Sequence, residues 1–559
     1  MRRKVGQLDR QLIWDRLLAI VEEQAQALMR TAFSTVVREA GDLSAGVFSV
    51  EGDMLAQAVT GTPGHVNAMA ASVGKFLRVH PLETLSHGDV LVTNDPWDGT
   101  GHLNDFTVVT PVFRGGVCRA LFASTSHIAD VGGRGFGPDA NDLFEEGLRI
   151  PISPLFRAGA RDETLMSLIR ANVRDPVTAE GDLHSLTACN ELGGRALNEM
   201  LDDFGLDDLV EVAGFIIETS RLAMAREISA LPDGAYGNEM VIDGYRQPVL
   251  LKAVLRIDGE QLSVDFSGSS PRSDAGINVP LPYTEAYASF GVRCIVGNQV
   301  PNNAGSLAAV CVTAPEGSIL NAPPPSAVSA RHSVGQMLPD VVLGCLAQVV
   351  PDQVPAEGAS CIWNPVFLNA PGPGAGNVQA TPFVSNPIFN GGTGARASKD
   401  GLSTTAFPSG VRTTSTEINE ATTPLVIWRK EYRQDSGGPG ERRGGLGQTI
   451  EVSHREGAAF VISKMFDRIG HPARGRQGGG EGLAGSVRLQ DGTELPGKGR
   501  DLVPAGATLV LDTPGGGGIG LASARTGQAV AADLAAGLIS RASAEADYGY
   551  PADPASDSD

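Results

Sequence analysis

The sequence predicts a multidomain α+β chain, with helices and hairpins in its N-terminal part and mostly β structure in its C-terminal part. Three observations carry this. An i, i+3, i+4, i+7 apolar stripe runs from Leu8 to about Arg38, and paired apolar runs flank tight turns between residues 45 and 124. Beyond about residue 360, short apolar runs are set in Gly, Thr and Ser. The 559 residues suit several domains at roughly 150 residues each. The expected divisions are 1–230, 231–360 and 361–545, with a flexible tail over 546–559. The 70 glycines and 35 prolines imply many turns, and no G-X-Y period points to collagen.

In chain order, Ile13, Leu17, Ile20, Val21 and Leu28 form one helical face, with Gln24 its one polar interruption. The runs 45–50 and 54–59 flank the turn Glu51-Gly52-Asp53 and predict a hairpin. Residues 66–80 read as a helix, and 90–93 as a short strand ending in the polar turn segment 94–101. A second hairpin is expected from 106–113 and 117–124, joined by Arg114-Gly115-Gly116. Helices follow over 163–174, 183–204 and 207–229, then strands over 249–257 and 262–266 with helices near 283–298 and 335–350. The remainder, including 459–462 and 508–511, reads as strands with long loops, and the tail from Ala546 as frayed.

Charge narrows the function. With 44 basic and 64 acidic residues the net charge is −20, and no Lys/Arg-rich stripe is present, so neither nucleic acid nor an anionic membrane is an expected partner. The six cysteines are too far apart for zinc-finger spacing or a dense disulfide framework; they read as buried small hydrophobes in a reducing cytoplasm. The basic start is followed by charges rather than an apolar signal core, and no window approaches the roughly 20 apolar residues of a membrane span. The expected location is cytoplasmic.

Of nine histidines, His102 and His127 flank the second hairpin. With its turn centred near Gly115, antiparallel pairing places Asp105 opposite about Thr125, and His127 opposite about Leu103. His102, Asp105 and His127 then converge at one end of one hairpin. Two imidazoles and a carboxylate form a first shell that leaves positions open on a divalent metal. Asp42, Asp95, Asp98 and Asp130 lie in nearby turns as further oxygen donors, and His65 sits in a turn able to approach the same place. On spacing alone, histidines satisfied within a core or loop are the commoner outcome. No P-loop and no Gly-x-Ser-x-Gly elbow occur, and the Gly-rich stretches 436–447 and 513–518 read as structural turns rather than anion cradles.

At these residues the chain resembles a known family. Arg38-Glu39-Ala40-Gly41-Asp42-Leu43-Ser44, Gly64-His65, Asn94-Asp95-Pro96, Gly101-His102-Leu103-Asn104-Asp105, His127-Ile128-Ala129-Asp130-Val131-Gly132-Gly133, Glu145-Glu146-Gly147 and Asn172-Val173-Arg174 are similar, in order, to the hydantoinase B/oxoprolinase family. Asp265-Phe266-Ser267-Gly268, Pro301-Asn302-Asn303-Ala304-Gly305 and Thr513-Pro514-Gly515-Gly516-Gly517-Gly518 continue the resemblance. It implies the B-type component of a two-component, ATP-dependent amidohydrolase that opens a cyclic amide such as hydantoin, N-methylhydantoin, oxoproline or a lactam. A hydantoinase A-type partner would bind ATP and Mg and phosphorylate the substrate in a hetero-oligomer. It also implies a divalent metal (Zn, Mn or Fe) on His102, Asp105 and His127, and Asp42 is the candidate further ligand or water-orienting base. Where many members carry His or Trp after the metal histidine, this chain has Ile128. The alternatives are the alpha component of an ATP-dependent ketone carboxylase, related to acetone carboxylase, and a non-catalytic scaffold.

Overall fold

The computed structural model describes residues 6–60, 62–370 and 383–551. The chain divides into two compact units, Met1–Glu239 with Leu251–Cys345, and Met240–Leu250 with Leu346–Asp559. It is α+β, with four sheets among the described residues and β-rich structure in the C-terminal part.

The opening helix, Gln7–Thr31, buries Ile13, Leu17, Ile20, Val21 and Leu28 as the stripe predicts. Gln24 is buried with them. Its side-chain amide donates to the Ala123 carbonyl at 3.1 Å and to Asn190 Oδ1 at 2.8 Å, and Asn190 Nδ2 donates to the Val108 carbonyl at 3.1 Å. The polar interruption is thus a pin between helices and sheet, made by the donor end of a buried amide. The helix does not continue to Arg38: it stops at Thr31, and a separate turn of helix spans Thr35–Arg38. Asp182, from the helix Pro176–Phe204, accepts the N–H groups of Phe33 at 2.7 Å and Ser34 at 3.1 Å, taking amides that a continuous helix would have used itself.

The first unit is built on a seven-stranded sheet. Its strands are β1 (Leu43–Phe48), β2 (Met54–Gln57), β3 (Val90–Thr93), β4 (Asp105–Arg114), β5 (Val117–His127), β6 (Ser153–Arg157) and β7 (Ala160–Arg161), in the order β2-β1-β5-β4-β3-β6-β7. One face packs Val47, Val108 and Phe122 against Leu17 and Leu186 of the two long helices. The other packs Phe48, Leu91, Val109 and Leu121 against Met69, Val73 and Phe76 of the helix Pro63–Val79. Apolar groups cover both faces, so β1 and β3 are buried at every residue and show no alternation of buried and exposed positions.

The β4–β5 hairpin is two residues out of the expected register, and Asp105 pairs with His127 rather than Thr125. A bulge between Val112 and Phe113 adds a residue next to the turn. Gly115 and Gly116 form that turn with φ of 58° and 77°, a pair of left-handed conformations that matches the twist of the strands and favours glycine. A slip of two keeps every side chain on its expected face.

In the second unit, the strands Val384–Ser385, Val366–Asn369, Phe460–Met465 and Lys498–Val503 form one sheet in that order. A second contains Leu425–Tyr432, Gln448–His454, Leu509–Asp512 and Ser486–Leu489. Phe367, Phe460, Ile462, Ile450, Val452, Leu509 and Leu511 from the two share a core with Trp363, which stacks on Phe466 at 4.2 Å between ring centroids. The Gly-rich stretches prove to be extended segments hydrogen-bonded to one another: Gly392 N–H to Pro514, Gly445 N–H to Thr393, Gly516 N–H to Gly445, and Gly438 N–H to Gly516. A Cβ on Gly392, Gly394, Gly444, Gly445, Gly515 or Gly516 would fall 1.7–2.1 Å from a carbonyl oxygen, and none of these residues has a positive φ. Glycine is needed there for close backbone approach rather than for left-handed turns.

At the C-terminus, Arg541–Tyr548 is helical, and Tyr548 and Tyr550 pack on Val530, Ile539 and Ala544. The fraying expected from Ala546 therefore does not hold through Tyr548, and residues 552–559 lie outside the described ones. Cys189, Cys345 and Cys361 are buried as expected, but Cys118 and Cys294 are only half-buried and Cys311 is exposed. No described helix is long and apolar enough to cross a membrane.

Candidate metal centre

The site lies where β4 begins and β5 ends. Asp105 is the first residue of β4 and His127 the last of β5, so two central strands of a covered sheet hold them. His102 sits in the preceding loop, which is tied down by Asn94 Nδ2 donating to the carbonyls of Leu103 at 2.8 Å and Leu148 at 2.9 Å. His102, Asp105 and His127 are all buried, and each offers a ligand atom within 4.8 Å of the other two.

Asp105 is the hub. Its Oδ1 lies 2.7 Å from His102 Nε2 and 3.3 Å from His127 Nδ1. Its Oδ2 accepts from Thr100 Oγ1 at 2.7 Å and from Arg331 Nη2, and lies 2.8 Å from His65 Nε2. Burial favours the neutral carboxyl, but His102, His65 and Arg331 outweigh it and hold Asp105 well below the usual carboxylate range. His102 moves the other way: burial and the nearby Arg331 charge push it down to about 4, against the pull of Asp105.

These residues fit a cation. His102 Nδ1 faces the Ser329 carbonyl at 3.0 Å, and a carbonyl can only accept, so Nδ1 carries the proton of the neutral ring. In the neutral ring Nε2, 2.7 Å from the Asp105 oxygen, carries the lone pair that a cation would take. His127 Nε2 is buried without a hydrogen-bond partner among the described residues. Two imidazoles and a carboxylate so placed, one imidazole nitrogen orphaned, are the donor chemistry of a divalent metal site. Phe136 shields the imidazoles, with its ring centroid 5.6 Å from His102 and 5.1 Å from His127.

Asp42 stands outside the group of three. Its Oδ1 accepts from Thr62 Oγ1 at 2.8 Å and faces His65 Nδ1 at 3.4 Å, and its backbone carbonyl accepts the His127 N–H at 3.3 Å. His65, in the first turn of the helix Pro63–Val79, bridges Asp42 and Asp105. Burial opposes its charge, yet the two carboxylates prevail and its pKa is raised. The other aspartates considered from sequence are engaged by cations: Asp95 by Arg149, Asp98 by Lys75 at 3.7 Å, and Asp130 by Arg174 at 2.6 Å.

Sequence reasoning missed Arg331, Ser329 and Thr100. Arg331 is buried, stacks over the Tyr283 ring at 4.1 Å and donates to the Thr100 carbonyl at 2.9 Å as well as to Asp105. The signal was Arg331-His332 in the middle of a run of small and apolar residues, where an unpaired cation would be costly to bury.

Comparison with known proteins gives the chain's family. The hydantoinase B/oxoprolinase family matches residues 7–522. The chain is 27% identical over 584 residues to the B-type component of a putative D-/L-hydantoinase from Pseudomonas sp. (strain NS671), covering 98% of this chain and 95% of that one. It is 31% identical over 539 residues to 5-oxoprolinase 1 of Arabidopsis thaliana, covering 90% of this chain but 41% of the plant protein. Among solved structures, the ATP-dependent caprolactamase from Pseudomonas jessenii superposes with a TM-score of 0.89 at 24% identity, covering 99% of this chain and 97% of that one. Acetone carboxylase superposes with a TM-score of 0.84 at 18% identity, covering 97% and 79%. At those identities the structural likeness is one of fold. The order of motifs, their span and the matched relatives lead to one conclusion: the chain belongs to the hydantoinase B/oxoprolinase family.

Proposed function

We propose that this chain is the B-type component of an ATP-dependent cyclic amide hydrolase, opening a hydantoin, oxoproline or lactam ring after an A-type partner has phosphorylated the substrate. The observation that carries the reading is the buried cluster of His102, Asp105 and His127, whose ligand atoms lie within 4.8 Å of one another, beside the orphaned His127 Nε2. A divalent metal bound by His102, Asp105 and His127 would supply Lewis acidity and make water nucleophilic at neutral pH. The chain's own groups do the rest. Arg331 and Thr100 hold the Asp105 carboxylate in place, and Phe136 keeps bulk water from the imidazoles. Asp42, whose side chain is 18% exposed, is the solvent-facing end of the Asp42–His65–Asp105 series. It is placed to take a proton from an incoming water, with His65 beside it as a neighbouring positive group. The same carboxylate is also the candidate fourth ligand.

The test is reconstitution with a candidate A-type partner and a panel of hydantoin, N-methylhydantoin, 5-oxoproline and lactams. ADP release coupled to ring opening without bicarbonate is expected, and the chain alone should neither bind nor hydrolyse ATP. Strict bicarbonate dependence would identify a carboxylase instead. Full activity from metal-free protein would leave this chain a scaffold.

A further inference from the structure

The segment 328–332 supports two of the three proposed ligands from behind. The Ser329 carbonyl accepts from His102 Nδ1 at 3.0 Å, and Arg331 donates to Asp105 Oδ2. An imidazole ring turns easily about its terminal torsion, so the direction in which His102 Nε2 points is set by where residue 329 is held. Helix does not hold it: the first helical residue is His332, and Ser329 lies in the turn before it.

Ala330 N–H donates to the Gly276 carbonyl at 2.7 Å, and the two amides before it are taken by one buried carboxyl group. Val328 N–H and Ser329 N–H both donate to Glu146 Oε1, at 2.6 Å and 2.7 Å. Glu146 is buried directly after the turn Leu143–Glu145, and its Oε2 is buried without a hydrogen-bond partner among the described residues. Residue 329 therefore takes Glu146 on its N–H and His102 on its carbonyl, and through that one residue the carboxyl group reaches the imidazole.

We propose that Glu146 is a positioning residue for the metal centre: its Oε1 anchors the amides of Val328 and Ser329, so that the Ser329 carbonyl holds His102 with Nε2 turned toward Asp105. This rests on the metal reading above. The group that orients a metal ligand is usually bonded to the ligand itself, whereas here it acts one residue further out through the backbone. Because one oxygen takes two N–H groups, loss of the acceptor orphans both in the interior.

Co²⁺ alone is the probe, titrated into metal-free protein below the melting temperature of each variant and followed by its visible absorption, which reports the ligand set. The wild type is expected to bind one ion. Glu146→Met keeps length and fills the space but lacks the acceptor, and should bind Co²⁺ about 10–100-fold more weakly with an altered spectrum. Glu146→Gln keeps a carbonyl oxygen for the two amides and should remain close to wild type. A role in stability alone predicts a Met variant that melts lower yet binds with wild-type affinity and spectrum; that result overturns the proposal, as does a Gln variant as weak as Met. Should the Met variant not fold, Glu146→Asp, one methylene short, replaces it, and wild-type binding by that variant overturns the proposal equally. A wild type that binds no Co²⁺ overturns the metal reading itself, and the role of Glu146 with it, an outcome distinct from the variant results.

Discussion

Asp105 and His127 are direct partners across the β4–β5 hairpin, with the carboxylate Oδ1 3.3 Å from the imidazole Nδ1. One is the first residue of its strand and the other the last of its neighbour, so the pairing that closes the sheet also sets the spacing of two proposed ligands. Sites built on strands in this way are held more rigidly than sites built on loops. The third, His102, has to be brought in by the loop that Asn94 pins.

His127→Ala should leave a folded chain that has lost its metal and, in the reconstituted complex, its ring-opening activity. The residue ends a strand, and its Nε2 has no hydrogen-bond partner among the described residues. Elemental analysis after metal loading measures the first effect; full metal content in the variant would remove His127 from the ligand set.

Asp105→Asn should spare ADP formation more than ring opening, because the amide keeps the shape but not the charge that steadies a cation. In a single-turnover quench with labelled ATP, ADP should still form while ring-opened product falls by orders of magnitude. Equal loss of both would place the site before phosphoryl transfer. The substitution should also destabilise the metal-free protein by about 3–5 kcal/mol in chemical denaturation, since the buried Arg331 loses its counter-charge.

Glu146 should make the protein less stable at alkaline pH. Burial raises its carboxyl from an ordinary 4.5 to about 8, against the two amides that pull it down. The folded state then binds this proton more tightly than the unfolded one. The group's contribution is fully present below pH 4.5 and is lost as pH rises through about 8. Glu146→Gln lacks this titration, so its stability relative to wild type should climb from about pH 5.5 to about pH 8.5, as paired guanidinium melts would show. A constant difference would mean that Glu146 stays ionised throughout.

Two glycine substitutions should have opposite signs. In Gly515→Ala the new Cβ would sit 1.7 Å from the Ser436 carbonyl oxygen, so the variant should lose more than about 4 kcal/mol or fail to fold. Gly214→Ala, within a helix and with nothing within 4 Å of the added carbon, should gain roughly 0.5–1 kcal/mol. Similar losses at both sites would contradict the close approach of backbones in the Gly-rich bundle.

The sequence by itself determined what short-range periodicity and turn chemistry can encode. The apolar stripe of Gln7–Thr31, the hairpin closed by Gly115-Gly116 and the strand character of the C-terminal part all follow from local pattern. So did the meeting of Asp105 and His127, because one hairpin pairs their strands, whereas His102 also needs the loop that Asn94 holds. Tertiary structure decided the rest. The break after Thr31 depends on Asp182, some 150 positions away, and the exact partner of Asp105 depends on a bulge that no residue preference marks. Arg331, Ser329 and Glu146 reach the site across the first unit, where only the folded backbone sets their distances. The purpose of the Gly-rich stretches was equally hidden: a glycine needed for a turn and a glycine needed so that another backbone can pass look the same in sequence. They differ only in what a Cβ would meet.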